Sequence, residues 1–198
     1  DKQRNLPLIT MNATPLAIPD VILLDPKVFG DDRGFFFESF NQARFEEAVG
    51  HAVSFVQDNH SLSRQKGVVR GLHFQIAPTP QAKLVRCTRG AILDVAVDIR
   101  AGSPTFGKHV AAELTADNGW QLYVPVGFAH GFATLVPDTE VQYKVTGYYA
   151  PECDRGLAFD DPALGIDWPV GRDKAVLSDK DRAQPLLADL PEHFRYGA

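Results

Sequence analysis

His73, in Gly71-Leu72-His73-Phe74-Gln75, and Lys83, which opens Lys83-Leu84-Val85-Arg86, place an imidazole and an ammonium on two strand-like runs. Tyr143, in a third such run, adds a phenol. Histidine exchanges protons near neutral pH, an ammonium in a dry cavity favours negative charge on a neighbouring oxygen, and a phenol is a weak acid. Set around one bound carbonyl compound, the three can take a proton from beside the carbonyl, hold the enolate and return a proton. That chemistry is acid–base isomerisation.

Each residue also has a plainer reading. On a strand His73 points away from Leu72 and Phe74, which suits a hydrogen-bonded structural histidine as well as a base. Lys83, opening a strand, would normally be a solvated strand end, since lysine is rarely buried unpaired. Tyr143 shares a face with Val141 and Val145, so its ring is expected inside, as core or as acid. Asp181, in Ser178-x-x-Asp181, has the spacing of a capping box, and His130, in Gly127-Phe128-Ala129-His130-Gly131-Phe132, reads as loop packing. Arg70 has the opposite strand parity from His73, yet Gly71 between them permits a bend that brings both to one cavity.

Other chemistries lack their signatures. Six histidines contain no HxH or HExxH arrangement, so no metal is expected. Two distant cysteines, Cys87 and Cys153, form no CxxC pair and signal neither zinc nor a disulfide framework, which makes a reduced cytoplasm the expected compartment. There is no GxSxG elbow, dinucleotide fingerprint or P-loop. The net charge of −5 argues against a nucleic-acid surface. No run approaches the roughly 18 apolar residues of a membrane span.

The elements that position these groups are strands. With 14 prolines, 16 glycines and 13 phenylalanines in 198 residues, the chain reads as one mainly β domain. Asp1 to about Thr10, ahead of the lone Met11, reads as an expression remnant or unstructured extension. The division is thus an extension over 1–15 and a single domain over 16–198. Strands are expected at Asp20–Leu24, Phe35–Phe40, Lys83–Arg89, Leu93–Ile99, Val110–Leu114, Gln121–Val124, Gly131–Leu135 and Glu140–Thr146. In Leu93–Ile99 one face is apolar, while Asp94, Ala96 and Asp98 occupy the other. Asn41 can cap a short helix that Gly50 ends, and Ser178 begins a helical turn. Many short strands at close spacing mean a sandwich or barrel.

Six ordered blocks carry a resemblance. They are Pro26-Lys27-Val28-Phe29-Gly30-Asp31-Asp32-Arg33-Gly34-Phe35-Phe36-Phe37-Glu38-Ser39-Phe40, Phe55-Val56-Gln57-Asp58-Asn59-His60-Ser61, Val69-Arg70-Gly71-Leu72-His73-Phe74-Gln75, Lys83-Leu84-Val85-Arg86-Cys87, Ser103-Pro104-Thr105-Phe106-Gly107 and Pro125-Val126-Gly127-Phe128-Ala129-His130-Gly131-Phe132. In order and spacing they resemble the dTDP-4-dehydrorhamnose 3,5-epimerase family. The resemblance implies a cupin-type jelly roll (a double-stranded β-helix) with short peripheral helices, assembled as a homodimer without metal or cofactor. Its substrate would be the dTDP-linked 4-keto-6-deoxyhexose dTDP-4-dehydro-6-deoxy-D-glucose, converted to the L-rhamnose-configured 4-keto sugar.

By the same resemblance His73 is the general base, Asp181 its carboxylate partner and Tyr143 the proton donor. Lys83 faces the keto oxygen. Substrate contacts fall on Arg33, Glu38, Gln57, Asp58, Asn59, Arg70, Lys83, His130 and Lys180, and on Asp154, where relatives usually have glutamate. Two rivals remain: an epimerase acting only at C3 or only at C5 of a related sugar, and a noncatalytic sugar-nucleotide-binding cupin.

Overall fold

A sheet has two faces to cover, and the five-stranded sheet of this chain covers them with a second sheet on one side and irregular chain on the other. The computed structural model describes residues 11–198. The chain opens with β1 (Met11–Pro15), β2 (Ile22–Pro26), a hairpin of β3 (Phe29–Asp31) and β4 (Gly34–Phe36), and α1 (Gln42–Val49). The sandwich is then built from β5 (Gln57–Ser63), β6 (Val69–Gln75), β7 (Lys83–Arg89) and β8 (Ala91–Asp98), followed by the short β9 (Arg100–Ala101). Next come β10 (His109–Thr115), β11 (Gln121–Val124), β12 (Phe128–Thr134) and β13 (Thr139–Val145). Finally β14 (Asp154–Gly156), α2 (Asp179–Arg182) and β15 (Phe194–Arg195) lie in a largely irregular tail.

One sheet runs β1-β2-β11-β7-β13-β5 and the other β10-β8-β12-β6-β14. All their pairings are antiparallel, and strands adjacent in sequence such as β7 and β8 fall in different sheets. This is the jelly roll expected above. Between the sheets Val85, Cys87 and Val141 meet Ile92, Ala96, Val110, Leu114, Phe128 and Phe132. The outer face of the five-stranded sheet, with Leu72, Phe74, Val95 and Val97, is covered by Leu157, Phe159, Leu164, Trp168, Leu177 and Phe194 of the tail. Both faces of β8 are therefore buried, and its Asp94–Asp98 face looks inward rather than to water.

Boundaries differ in informative places. Met11–Pro15, assigned above to the extension, is the edge strand β1, paired residue for residue with β2; residues 1–10 lie outside the described residues. The strand expected at Phe35–Phe40 stops at Phe36, because Phe40 leaves the ladder to pack against Phe45 and Phe55, at 5.9 and 5.6 Å between ring centroids. That cluster seats α1, which Asn41 caps through Arg44 N–H and Gly50 ends in the left-handed conformation, as expected. Among the described residues no helix is long and apolar enough to cross a membrane.

The β6–β12 pairing matters most for the site. His73 pairs with His130 and Arg70 with Phe132, so three steps along β6 match two along β12. This irregularity reverses the alternation, and Arg70 and His73 come to share the inner face despite their odd spacing. It is seated by Gly71 at φ 123°, whose absent Cβ would lie 2.7 Å from Gly131 Cα and His130 O. Gly71→Ala is expected to lower stability by about 2 kcal/mol or more, through backbone strain and strand separation together. A urea midpoint within about 0.2 M of the parent would show that the strands can part at little cost.

Candidate active site

Four residues from four elements meet in one cleft between the sheets. His73 is half-buried on the inner face of β6, where its neighbours Leu72 and Phe74 point into the outer core. Asp181 arrives from α2, which packs against β6 past the end of its pairing with β14. The Ser178 hydroxyl accepts from Asp181 N–H and caps α2. The Asp181 carboxylate takes His73 Nε2 at 2.5 Å and Gly71 N–H at 3.4 Å. The capping role and the site role therefore fall on different atoms of one residue.

Burial works to raise the Asp181 pKa, but the His73 hydrogen bond and charge, with the Gly71 N–H and Ser178, hold it below the usual carboxylate range. An ionised carboxylate only accepts, so Nε2 carries the proton and Nδ1 is left as the basic atom of His73.

Across the gap, on the six-stranded sheet, Tyr143 and Lys83 sit on the facing wall. Tyr143 packs beside the inter-sheet core, and burial raises its pKa against the opposing pull of Asn59 and Arg70. Lys83 is 7% exposed, not a solvated strand end, and its Nζ reaches the carbonyl oxygen of His73 at 3.3 Å. The ammonium thus bridges the two sheets. Burial pushes its pKa down to about 8, against the pull of Asp94 and Asp154 and with a further push from Lys180.

These groups line a cleft of about 380 Å³ together with Ser61, Arg70, Phe132 and Lys180. An imidazole base, a phenol on the opposite wall and a nearly dry cation around one space can deprotonate a carbon beside a ketone, hold the enolate and reprotonate from the other side.

Comparison with known proteins gives the same reading. The family model described as dTDP-4-dehydrorhamnose 3,5-epimerase matches residues 15–189. The dTDP-4-dehydrorhamnose 3,5-epimerase of Pseudomonas aeruginosa is 59% identical over 179 residues, covering 90% of this chain and 97% of that protein.

The chain belongs to the dTDP-4-dehydrorhamnose 3,5-epimerase family.

Among solved structures, the Legionella pneumophila dTDP-6-deoxy-D-glucose-3,5-epimerase, in complex with dTDP-4-keto-L-rhamnose, superposes with a TM-score of 0.90 at 47% identity, over 95% of this chain and all of that one. A 3'-monoepimerase from Streptomyces bikiniensis, in complex with dTDP-quinovose, reaches 0.82 at 37% identity, over 88% of this chain and 87% of that one. The architecture shared with these epimerases is the cupin-type β fold.

The remaining family positions divide into four groups. Arg70, His130 and Lys180 line the cleft; Arg70 donates to Ser63 Oγ and Leu62 O, and His130 is buried with Nε2 2.7 Å from Asp94 Oδ1. His130 sits on β12, not in a loop. Asp58 and Asn59 border an adjoining hollow that meets the cleft at Tyr143, and Asp58 is paired with Lys144. Gln57 holds Asn59 and the Tyr149 N–H at the strand end, and Asp154 forms an ion pair with Lys180. Arg33 and Glu38 do not line the cleft. Arg33 is paired with Asp31 on the exposed β3–β4 hairpin, and Glu38 lies 3.2 Å from Arg44.

Two cleft-side groups were not singled out from the sequence. Ser61 presents a buried hydroxyl with no hydrogen-bond partner among the described residues, and Asp94 stands behind His130. The signal for Asp94 was a carboxylate alternating with apolar residues in a strand flanked by other strands; what it lacked was the knowledge that both faces are covered.

Lys83 carries a stability consequence. Its folded-state pKa of about 8 lies below its ordinary 10.5, so the unfolded chain holds more protons between those values and this lysine makes stability rise with pH across that window. Lys83→Met is therefore expected to be more stable than the parent at pH 7, by on the order of 1–3 kcal/mol, with the gap closing at alkaline pH. Denaturant midpoints at both pH values test this, and a less stable variant at pH 7 would show the ammonium to be net stabilising.

Proposed function

We propose that this chain converts dTDP-4-dehydro-6-deoxy-D-glucose to dTDP-4-dehydro-L-rhamnose by inverting C3 and C5, with His73, Asp181, Tyr143 and Lys83 as its catalytic set. The observation that carries this is the 2.5 Å pair of His73, on one sheet, with Asp181 of α2, facing Tyr143 and the buried Lys83 on the other sheet across a single cleft.

The chemistry follows from that arrangement. Each inverted carbon flanks the C4 ketone, so loss of its proton to Nδ1 of His73 gives an enolate with its charge on the ketone oxygen. Asp181 stabilises the imidazolium so formed. Lys83 favours the enolate over the ketone, an effect commonly worth about 3 kcal/mol in a water-poor site. Tyr143 returns a proton from the opposite wall, being too weak an acid to lose it to water at neutral pH and strong enough to give it to a carbanion-like centre. One base, one acid and one cation serve both carbons when the ring turns over between steps.

Arg70 and Lys180 form the basic flank that suits a diphosphate, guanidinium forks pairing well with phosphate oxygens. The exposed hairpin, with Phe35 and Phe36 largely bare and Arg33 outside its own chain's cleft, supports a homodimer in which Arg33 and Glu38 serve the cleft of a second copy. Two buried free thiols, Cys87 and Cys153, suit the reducing cytoplasm.

Heavy-water exchange separates the readings. The double epimerase incorporates deuterium at both C3 and C5 of the product, a single-carbon epimerase at one, and a noncatalytic binder at neither. His73→Asn is expected to bind the sugar nucleotide with turnover reduced at least about 1,000-fold, as removal of a general base in contact with substrate implies. Turnover within tenfold of the parent would refute its role. Tyr143→Phe should still wash the C3 proton into solvent while impairing completed inversion, read by comparing exchange with product formation in one sample; equal losses in both would remove it as the donor.

A further inference from the structure

Asp94 is fully buried on β8, between Leu93 and Val95, where a carboxylate is costly unless something compensates it. One oxygen takes His130 Nε2 at 2.7 Å; the other, Oδ2, has no hydrogen-bond partner among the described residues. Lys83 enters the same region from the facing sheet, with Asp94 the largest influence favouring its charge. The ion pairs of the cleft do not include Lys83 with Asp94, whose direct contact is His130.

The charged and titratable groups around Lys83 come from six elements: Arg70 and His73 on β6, Asp94 on β8, His130 on β12, Tyr143 on β13, Asp154 on β14, and Lys180 and Asp181 on α2. Most are already spoken for. Asp154 is paired with Lys180, and Asp181 with His73. His130 is driven toward its neutral form by burial, against the pull of Asp94. Among the described residues Asp94 is therefore the carboxylate near Lys83 that has no lysine or arginine in direct contact.

We propose that Asp94 is a positioning residue of the epimerase site, which holds the His130 ring through Nε2 and supplies the counter-charge that keeps Lys83 an ammonium. The proposal rests on Lys83 being the cation that faces the substrate's keto oxygen. Separation is what makes such an arrangement useful. A carboxylate bonded directly to the ammonium would cancel most of its field at the substrate, whereas one held on His130 still opposes loss of the proton, since unit charges several ångströms apart in a partly buried site interact by more than one pKa unit. With Nε2–H given to Asp94, neutral His130 offers Nδ1 as an acceptor toward the cleft.

The test is Asp94→Asn, read in two independent ways. First, the Lys83 side chain is titrated by NMR in labelled protein, its signal assigned by loss in Lys83→Arg. We expect a midpoint near 8 in the parent and at least about one unit lower in Asp94→Asn. Second, kcat/KM is followed against pH: the alkaline limb should move down by the same amount, giving roughly tenfold lower kcat/KM at about pH 8.5 and near-parental values at about pH 6. An unmoved Lys83 titration overturns the proposal whatever the turnover. A uniform loss of kcat/KM at every pH, with the limb in place, also overturns it and leaves Asp94 a structural support. A lowered Lys83 titration with an unmoved pH–rate profile upholds the counter-charge and instead refutes the assignment of Lys83 to the keto oxygen. If Asp94→Asn does not fold, Asp94→Ser, also neutral and able to accept from His130, carries the same expectations.

Discussion

The hydrogen bond between Asp181 and His73 joins residues 108 positions apart and depends on most of the fold between them. Asp181 is carried by α2, whose four residues have no stability of their own. The helix stands where it does because the tail from Leu157 onward is packed on the outer face of the five-stranded sheet, through Leu157, Phe159, Leu164 and Trp168. It is tied to β6 by Leu72 N–H to Leu157 O and Val69 N–H to Val176 O. The apolar cover of one sheet face thus positions an acidic side chain that works at the other.

The two-sheet architecture supplies the geometry that inversion demands. A base and an acid on one strand cannot attack a ring from both sides, because alternate residues of a strand project to opposite faces of the sheet. A base on β6 and a phenol on β13 face each other because their sheets do. Between the sheets Lys83 is nearly dry, and this has a cost: the burial that would strengthen its field at a bound oxygen also makes it reluctant to stay charged. Function and folding stability pull in opposite directions at this residue, as they commonly do where a site stores unfavourable electrostatics.

Family membership and the cleft bear on different questions. The match over residues 15–189, with 59% identity to the Pseudomonas aeruginosa epimerase, assigns the family. The fold alone does not separate double from single epimerases, since a 3'-monoepimerase shares it at a TM-score of 0.82.

Much of this was legible in the amino-acid sequence. Period-two alternation located β7, β8, β11 and β13 nearly to the residue, Asn41 and Gly50 bracketed α1, and the inward parity of Tyr143 followed from Val141 and Val145. Local rules sufficed there because alternation and capping are set by neighbours within a few residues. They did not suffice where the partner is distant. Ser178-x-x-Asp181 reads as a cap, and it is one, yet the carboxylate's partner is His73. Lys83 reads as a strand end in water and is buried, because the facing sheet covers it. Arg70 and His73 have opposed parity and share a face, through a pairing irregularity seated against Gly131. The residue types fixed which proton transfers are available; only the packing of one sheet on the other decided which groups share a cavity, how dry it is and which charges oppose one another, since burial and long-range pairing are properties of surfaces that exist only once the chain has folded.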